Sequence, residues 1–116
     1  MSITRPDSYI SGFQLLSAAA PAPAQGIFIP LASLPGLTAA ECDPYNGDIR
    51  KLIYEINRNI FAALNEFSGA DRPTKFNVTR ATPTGVNATT IRQTYTSSFD
   101  LEIADVDVAP EPVNPA

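Results

Sequence analysis

The sequence predicts an α+β fold: one long amphipathic helix packed on a small antiparallel β-hairpin, with an extended proline-rich N-terminal arm and an acidic C-terminal tail. Three observations carry that reading. Apolar residues recur at three- and four-residue steps over positions 48–67, the period changes to two over positions 75–103, and prolines gather toward the two ends of the chain.

In the helical stretch Ile49, Leu52, Ile53, Ile56, Ile60, Ala63, Leu64 and Phe67 fall on one broad stripe at about 100° per residue. Tyr54 and Phe61 lie on a flank rotated by about a third of a turn from it. The helix therefore has two surfaces to bury. No second helix follows, so one of them is expected to meet another subunit. Asp48, after the turn residues Asn46 and Gly47, is the expected N-cap. Gly69 stands where a left-handed C′ residue belongs, and Pro73 prevents continuation. Upstream, Thr38-Ala39-Ala40-Glu41 has capping-box spacing, which predicts a single helical turn over 38–42 that stops before Pro44.

Beyond the helix, Phe76 and Val78 alternate with Lys75, Asn77 and Thr79, and Ile91, Tyr95, Phe99, Leu101 and Ile103 alternate with polar residues. Two half-buried strands are expected, joined through the Gly- and Asn-containing stretch 83–88. At roughly 3.3 Å per residue, the second strand would run more than 40 Å over positions 90–103, longer than the helix, so a bend near Ser97-Ser98 or a projection beyond the core is expected.

Of the 11 prolines, six precede the helix (Pro6, Pro21, Pro23, Pro30, Pro35, Pro44) and three close the chain (Pro110, Pro112, Pro115). Proline fixes φ and removes a donor, so neither end reads as regular helix or central strand. This divides the chain into an arm at 1–36, a compact part at 37–108 and a tail at 109–116. The compact part is about seventy residues, a size at which small domains often need a staple or an oligomer. Staples are missing: Cys42 stands alone and there is no histidine. The arm is too apolar for a free linker. Ile27, Phe28, Ile29 and Leu31, with Pro30 among them, read as a short edge strand laid in a groove, and together with Tyr54 and Phe61 they are the candidate oligomer and partner interface.

The composition argues against other functions. Without histidine the usual zinc sets cannot form, and the carboxylates, Lys51, Lys75 and Cys42 make no recognisable catalytic constellation. Asp100, Glu102, Asp105 and Asp107 lack the glycine turn of a calcium loop, and the stretch 43–48 fails the same pattern because Tyr45 takes its third position. No enzyme activity, metal or cofactor is therefore expected. The net charge is −4 and the eight basic residues are scattered, so nucleic-acid binding is not expected. Neither a secretory signal nor a membrane-spanning run is visible, which predicts a soluble protein of intracellular origin. Charge is nonetheless segregated: positions 100–116 carry five carboxylates and no cation, whereas positions 76–99 carry Arg80 and Arg92 and no carboxylate.

An apolar proline-rich arm (Ile27 to Leu37), one amphipathic helix (Ile49 to Phe67), a long Thr/Ser-rich hairpin (Phe76 to Ile103) and an acidic tail together resemble the small virion proteins of tailed bacteriophages. Those are capsid cement or decoration proteins and small neck or tail components. The resemblance is one of architecture over most of the chain and carries no residue-level role. It implies a non-enzymatic structural protein of the virion, assembled in the bacterial cytoplasm, whose partners are further copies of itself and a larger lattice protein such as a major capsid protein. A cement protein working by oligomerisation and arm exchange is the leading expectation, with a neck or tail component beside it. A small adaptor or regulatory binding module, with the Tyr54 and Phe61 flank receiving a peptide or helix, belongs to another class, and an enzyme subunit to a third.

Overall fold

The computed structural model describes residues 2–17 and 19–102. Ile103, the tail at 109–116 and the carboxylates between them lie outside the described residues. The architecture is mixed α+β, with, among the described residues, one α-helix, α1 (Ile49–Glu66), and three antiparallel sheets of two strands each. The first pairs β1 (Gln14–Leu16) with β2 (Gly26–Phe28). In the second β3 (Phe76–Arg80) pairs with β6 (Tyr95–Phe99), and in the third β4 (Thr84–Gly85) pairs with β5 (Ile91–Arg92).

Local chemistry fixes both ends of α1. The Asp48 carboxylate accepts the Arg50 N–H at 3.0 Å, the expected N-cap, and also binds the Arg50 guanidinium. The turn before it is a 3-10 turn, Ala40–Cys42, closed by the reciprocal bonds of a capping box: Thr38 N–H to the Glu41 carboxylate at 2.9 Å and Glu41 N–H to the Thr38 hydroxyl at 3.3 Å. Gly47 is required where the two motifs meet, because a Cβ there would overlap the carbonyl oxygens of Glu41 and Asp43. At the other end the helix departs from expectation. It stops at Phe67, whose backbone turns extended, and Gly69, though at φ +57°, opens the next 3-10 turn instead of capping the helix. The Leu64 carbonyl is satisfied by Arg72, whose guanidinium donates to it at 2.8 Å and to the Asn77 side chain at 3.1 Å.

The core sits where three parts of the chain converge. Tyr9, Ile10, Leu64 and Val78 are its buried members, with Phe13, Ile29, Ile56, Ile60, Phe67 and Phe76 around them. Tyr9 is the wedge: its ring meets Phe67 edge-on at 5.7 Å and Phe76 at 5.3 Å, and its hydroxyl donates to the Ile3 carbonyl at 2.6 Å. Two core residues thus come from the segment expected to be an extended arm. The core draws on both sides of the boundary expected at residue 36, because Tyr9 and Ile10 fill the space between helix end and hairpin that the short strands leave open.

The expected long second strand is interrupted. After Arg80 pairs with Tyr95, three residues on one side (81–83) face two on the other (93–94) before pairing resumes at Thr84 and Arg92. Pro83 has no N–H to give, and the Gln93 side chain bonds the Ala81 carbonyl at 2.7 Å. The break falls at 93–94 and not at Ser97-Ser98, both of which pair regularly with β3.

A buried charge fixes the other side of the helix. Glu55 is only 2 % exposed and pairs with Arg58 at 2.5 Å. The loop holding the buried Leu34 and Leu37 passes directly over it, and Gly36 permits this because a Cβ would strike the Glu55 carboxylate.

The two hydrogen bonds from Arg50, the side-chain bond first, hold the Asp48 carboxyl down to about 2. Since the native value lies below the unfolded one, the cap contributes fully above about pH 4, near the unfolded carboxylate value, and is lost as pH falls through 2. Amide exchange at Ile49–Leu52 should therefore accelerate over that window in the native chain. In Asp48→Asn, which still caps, that contribution to the pH dependence should vanish.

Candidate interaction surfaces

Two apolar surfaces remain open. The first is the β1–β2 ribbon. Phe13 and Ile29 at its root turn into the core, but Leu15 and Ile27, directly opposite one another, are both exposed, Ile27 at 65 %. Leu16 and Phe28 are exposed as well, on the opposite face of the ribbon because successive strand residues alternate, and Leu31 in the 3-10 turn Leu31–Ser33 is also exposed. A two-stranded ribbon is marginal in water by itself, and four of the six residues of this one are exposed large apolar side chains. Its root is tied down by the Ser33 hydroxyl, which donates to the Ser11 carbonyl.

The second surface is a groove between the N-terminal half of α1 and the β4–β5 ribbon. It encloses about 740 Å³ and is lined by Arg50, Tyr54, Val86, Ile91, Arg92 and Gln93 among others, with no carboxylate. A smaller hollow of about 340 Å³ shares Arg50, Tyr54 and Gln93 and extends it along Ile53 and Asn57 to Tyr95. Ile53, Val86 and Ile91 are exposed, the last at 66 %. Ile49, one turn before Ile53, is exposed too, so the stripe expected to face the core is open at these two positions, while Leu52 between them is half-buried.

The six residues singled out in the sequence divide between these surfaces and the interior. Ile27 and Phe28 are exposed on opposite faces of the ribbon, and Leu31 is exposed in the 3-10 turn that follows it. Ile29 faces the core. Tyr54 and Phe61 are half-buried against Tyr95 of the same chain, with ring centroids 6.1 and 5.9 Å apart, and the Arg80 guanidinium lies 5.0 Å from the Phe61 ring. Phe61 is thus engaged by its own hairpin, whereas Tyr54 also lines the groove. Sequence reasoning passed over Leu15, Ile53, Val86 and Ile91. Leu15 becomes visible only through the register that sets it opposite Ile27, and Ile53 lay within the stripe assigned to the core.

Among the described residues no group of His, Cys, Asp or Glu is placed to hold a metal ion. Among these residues no helix is long and apolar enough to cross a membrane. What these surfaces offer is apolar area: among the described residues twelve large apolar side chains are exposed, against six that are buried. Single exposed apolar residues are ordinary, but clustering on one ribbon and one groove marks interaction sites.

Two substitutions separate interior from surface. Phe61→Ala should destabilise the chain by about 2 kcal/mol, less than a fully buried Phe would cost, seen as a lower urea midpoint in dilute solution. Ile27→Glu should shift that midpoint little, about 0.5 kcal/mol or less, while reducing self-association measured by sedimentation at high concentration.

Set against models of protein families, characterised proteins and solved structures, the chain finds no match.

Proposed function

We propose that this chain is a non-enzymatic structural protein that associates with itself and with a larger lattice protein, as a cement protein of a phage capsid does. The observation that carries the reading is the excess of exposed over buried large apolar residues among the described residues, seven of the twelve exposed ones lying on the β1–β2 ribbon or lining the groove and its extension. A chain built this way gains free energy chiefly by covering those surfaces, at about 25 cal/mol per Å² of apolar area removed from water. The phage assignment rests on the architectural resemblance, which the single helix, the hairpin and the apolar ribbon support. In this reading the β1–β2 ribbon, as part of the N-terminal arm, and the acidic C-terminal residues reach neighbouring subunits, and the protein resides in the virion. A neck or tail position would use the same surfaces.

The groove favours a second reading, a small binding module that takes an extended peptide beside Tyr54. One comparison tests the structural reading. Particles assembled with and without the protein should differ in resistance to heat and low salt, with no enzymatic step lost. Equal particle stability, together with loss of a catalytic or DNA-processing step, would overturn the structural reading.

A further inference from the structure

We propose that the groove between α1 and the β4–β5 ribbon is filled by residues 103–109 of a second copy of this chain. The inference deepens the self-association just proposed, and it does not depend on the particle to which the protein belongs.

The groove has an apolar floor and a cationic rim. Tyr54, Val86 and Ile91 supply the floor. Arg50 is already engaged by Asp48, so Arg92 brings the charge left over for a ligand. A complementary occupant is extended, apolar on one side and acidic on the other. Ile103-Ala104-Asp105-Val106-Asp107-Val108-Ala109 has that pattern at its centre: Ala104, Val106 and Val108 share one parity, and Asp105 and Asp107 the other, flanked there by Ile103 and Ala109. Laid along the groove, Val106 and Val108 would cover Ile91 and Val86, while the two aspartates reach Arg92 at the rim.

The path of the chain favours a second copy over the same one. Phe99 pairs with Phe76, and the Asp100 N–H donates to the Lys75 carbonyl at 2.7 Å. The described chain therefore leaves β6 at the end of the β3–β6 ribbon opposite the groove, which begins beyond Tyr95. Entering its own groove would need a tight reversal, and positions 99–109 contain no glycine, proline or asparagine to favour one, while two of the three turn-compatible aspartates there, Asp105 and Asp107, are the ones the groove would engage. A neighbour's groove needs no reversal. The exposed Phe99 and Leu101 lead into the segment and would be covered by the same contact.

Charge exchange in the full-length chain provides the test. Arg92→Glu and the double variant Asp105→Arg/Asp107→Arg should each weaken self-association about ten-fold at low salt, the effect of losing one close charge pair of about 1.4 kcal/mol. An equimolar mixture of the two should recover it, because each supplies what the other lacks. Arg92→Gln should fall between wild type and Arg92→Glu. A photo-crosslinker at Val106, in a mixture of ¹⁴N- and ¹⁵N-labelled protein, should join peptides of opposite label at Val86 or Ile91. Unchanged association in both variants, no recovery on mixing, or crosslinks only within one label would each overturn the proposal. Particle stability is measured separately, so a failed lattice assignment and a failed groove assignment remain distinguishable.

Discussion

The fold turns on a mismatch of widths: a helix about 10 Å across, apolar along much of its length, is covered by ribbons only two strands wide, their strands about 4.8 Å apart. Such a ribbon covers the helix at one place. Here it does so near the helix C-terminus, where Leu64 is fully buried and Val78 lies in the same cluster. Tyr9 makes that contact secure by packing on both Phe67 and Phe76, which ties the N-terminal segment, the helix and the hairpin into one core. Further toward the helix N-terminus the hairpin breaks at Pro83 and Gln93, and Ile49 and Ile53 are left uncovered.

Glu55 shapes what remains open. A carboxylate this deeply buried is costly unless paired, and removal of its partner commonly destabilises a protein by about 3–5 kcal/mol. Arg58 pairs it on one side, and the loop with Leu34, Gly36 and Leu37 closes over it from the other. That loop covers the flank of α1 that the hairpin cannot reach. The absent side chain of Gly36 thereby lets the loop lie against Glu55, on the same helix whose Tyr54 lines the groove. The ribbon stands in contrast: it is anchored at its root by Phe13 and Ile29 and open on its outer residues.

The parts legible in the sequence were those decided by neighbours in the chain. Asp48 as N-cap and Thr38 and Glu41 as a capping box depend on contacts within a few residues, and each is formed, while the alternation of Phe76 and Val78 is a local pattern that β3 keeps, with Val78 buried. What depended on distant packing was not legible. Nothing local distinguishes Tyr9 and Ile10 from other apolar pairs of a proline-rich segment, yet they complete the core. Gly69 carried the signal of a helix C-cap, but Arg72 satisfies the Leu64 carbonyl from eight residues away and the helix ends earlier. Of the candidate interface, the exposure of Ile27, Phe28 and Leu31 followed from an apolar segment with nothing of its own to cover it. Ile53 and Ile91 could not be foreseen, since their periodicity is that of core residues and only the narrowness of the hairpin leaves them outside.

The idea common to these observations is that the chain completes its apolar surface on other copies of itself. Thermal unfolding followed over about a hundredfold range of protein concentration, with the mass in solution determined at each point, tests it most directly. If folding is completed by association, the midpoint rises with concentration and the mass is a multiple of 12.4 kDa, since a partner that binds only the folded chain stabilises it by mass action. A midpoint independent of concentration, with cooperative unfolding of a species of 12.4 kDa throughout, would contradict it.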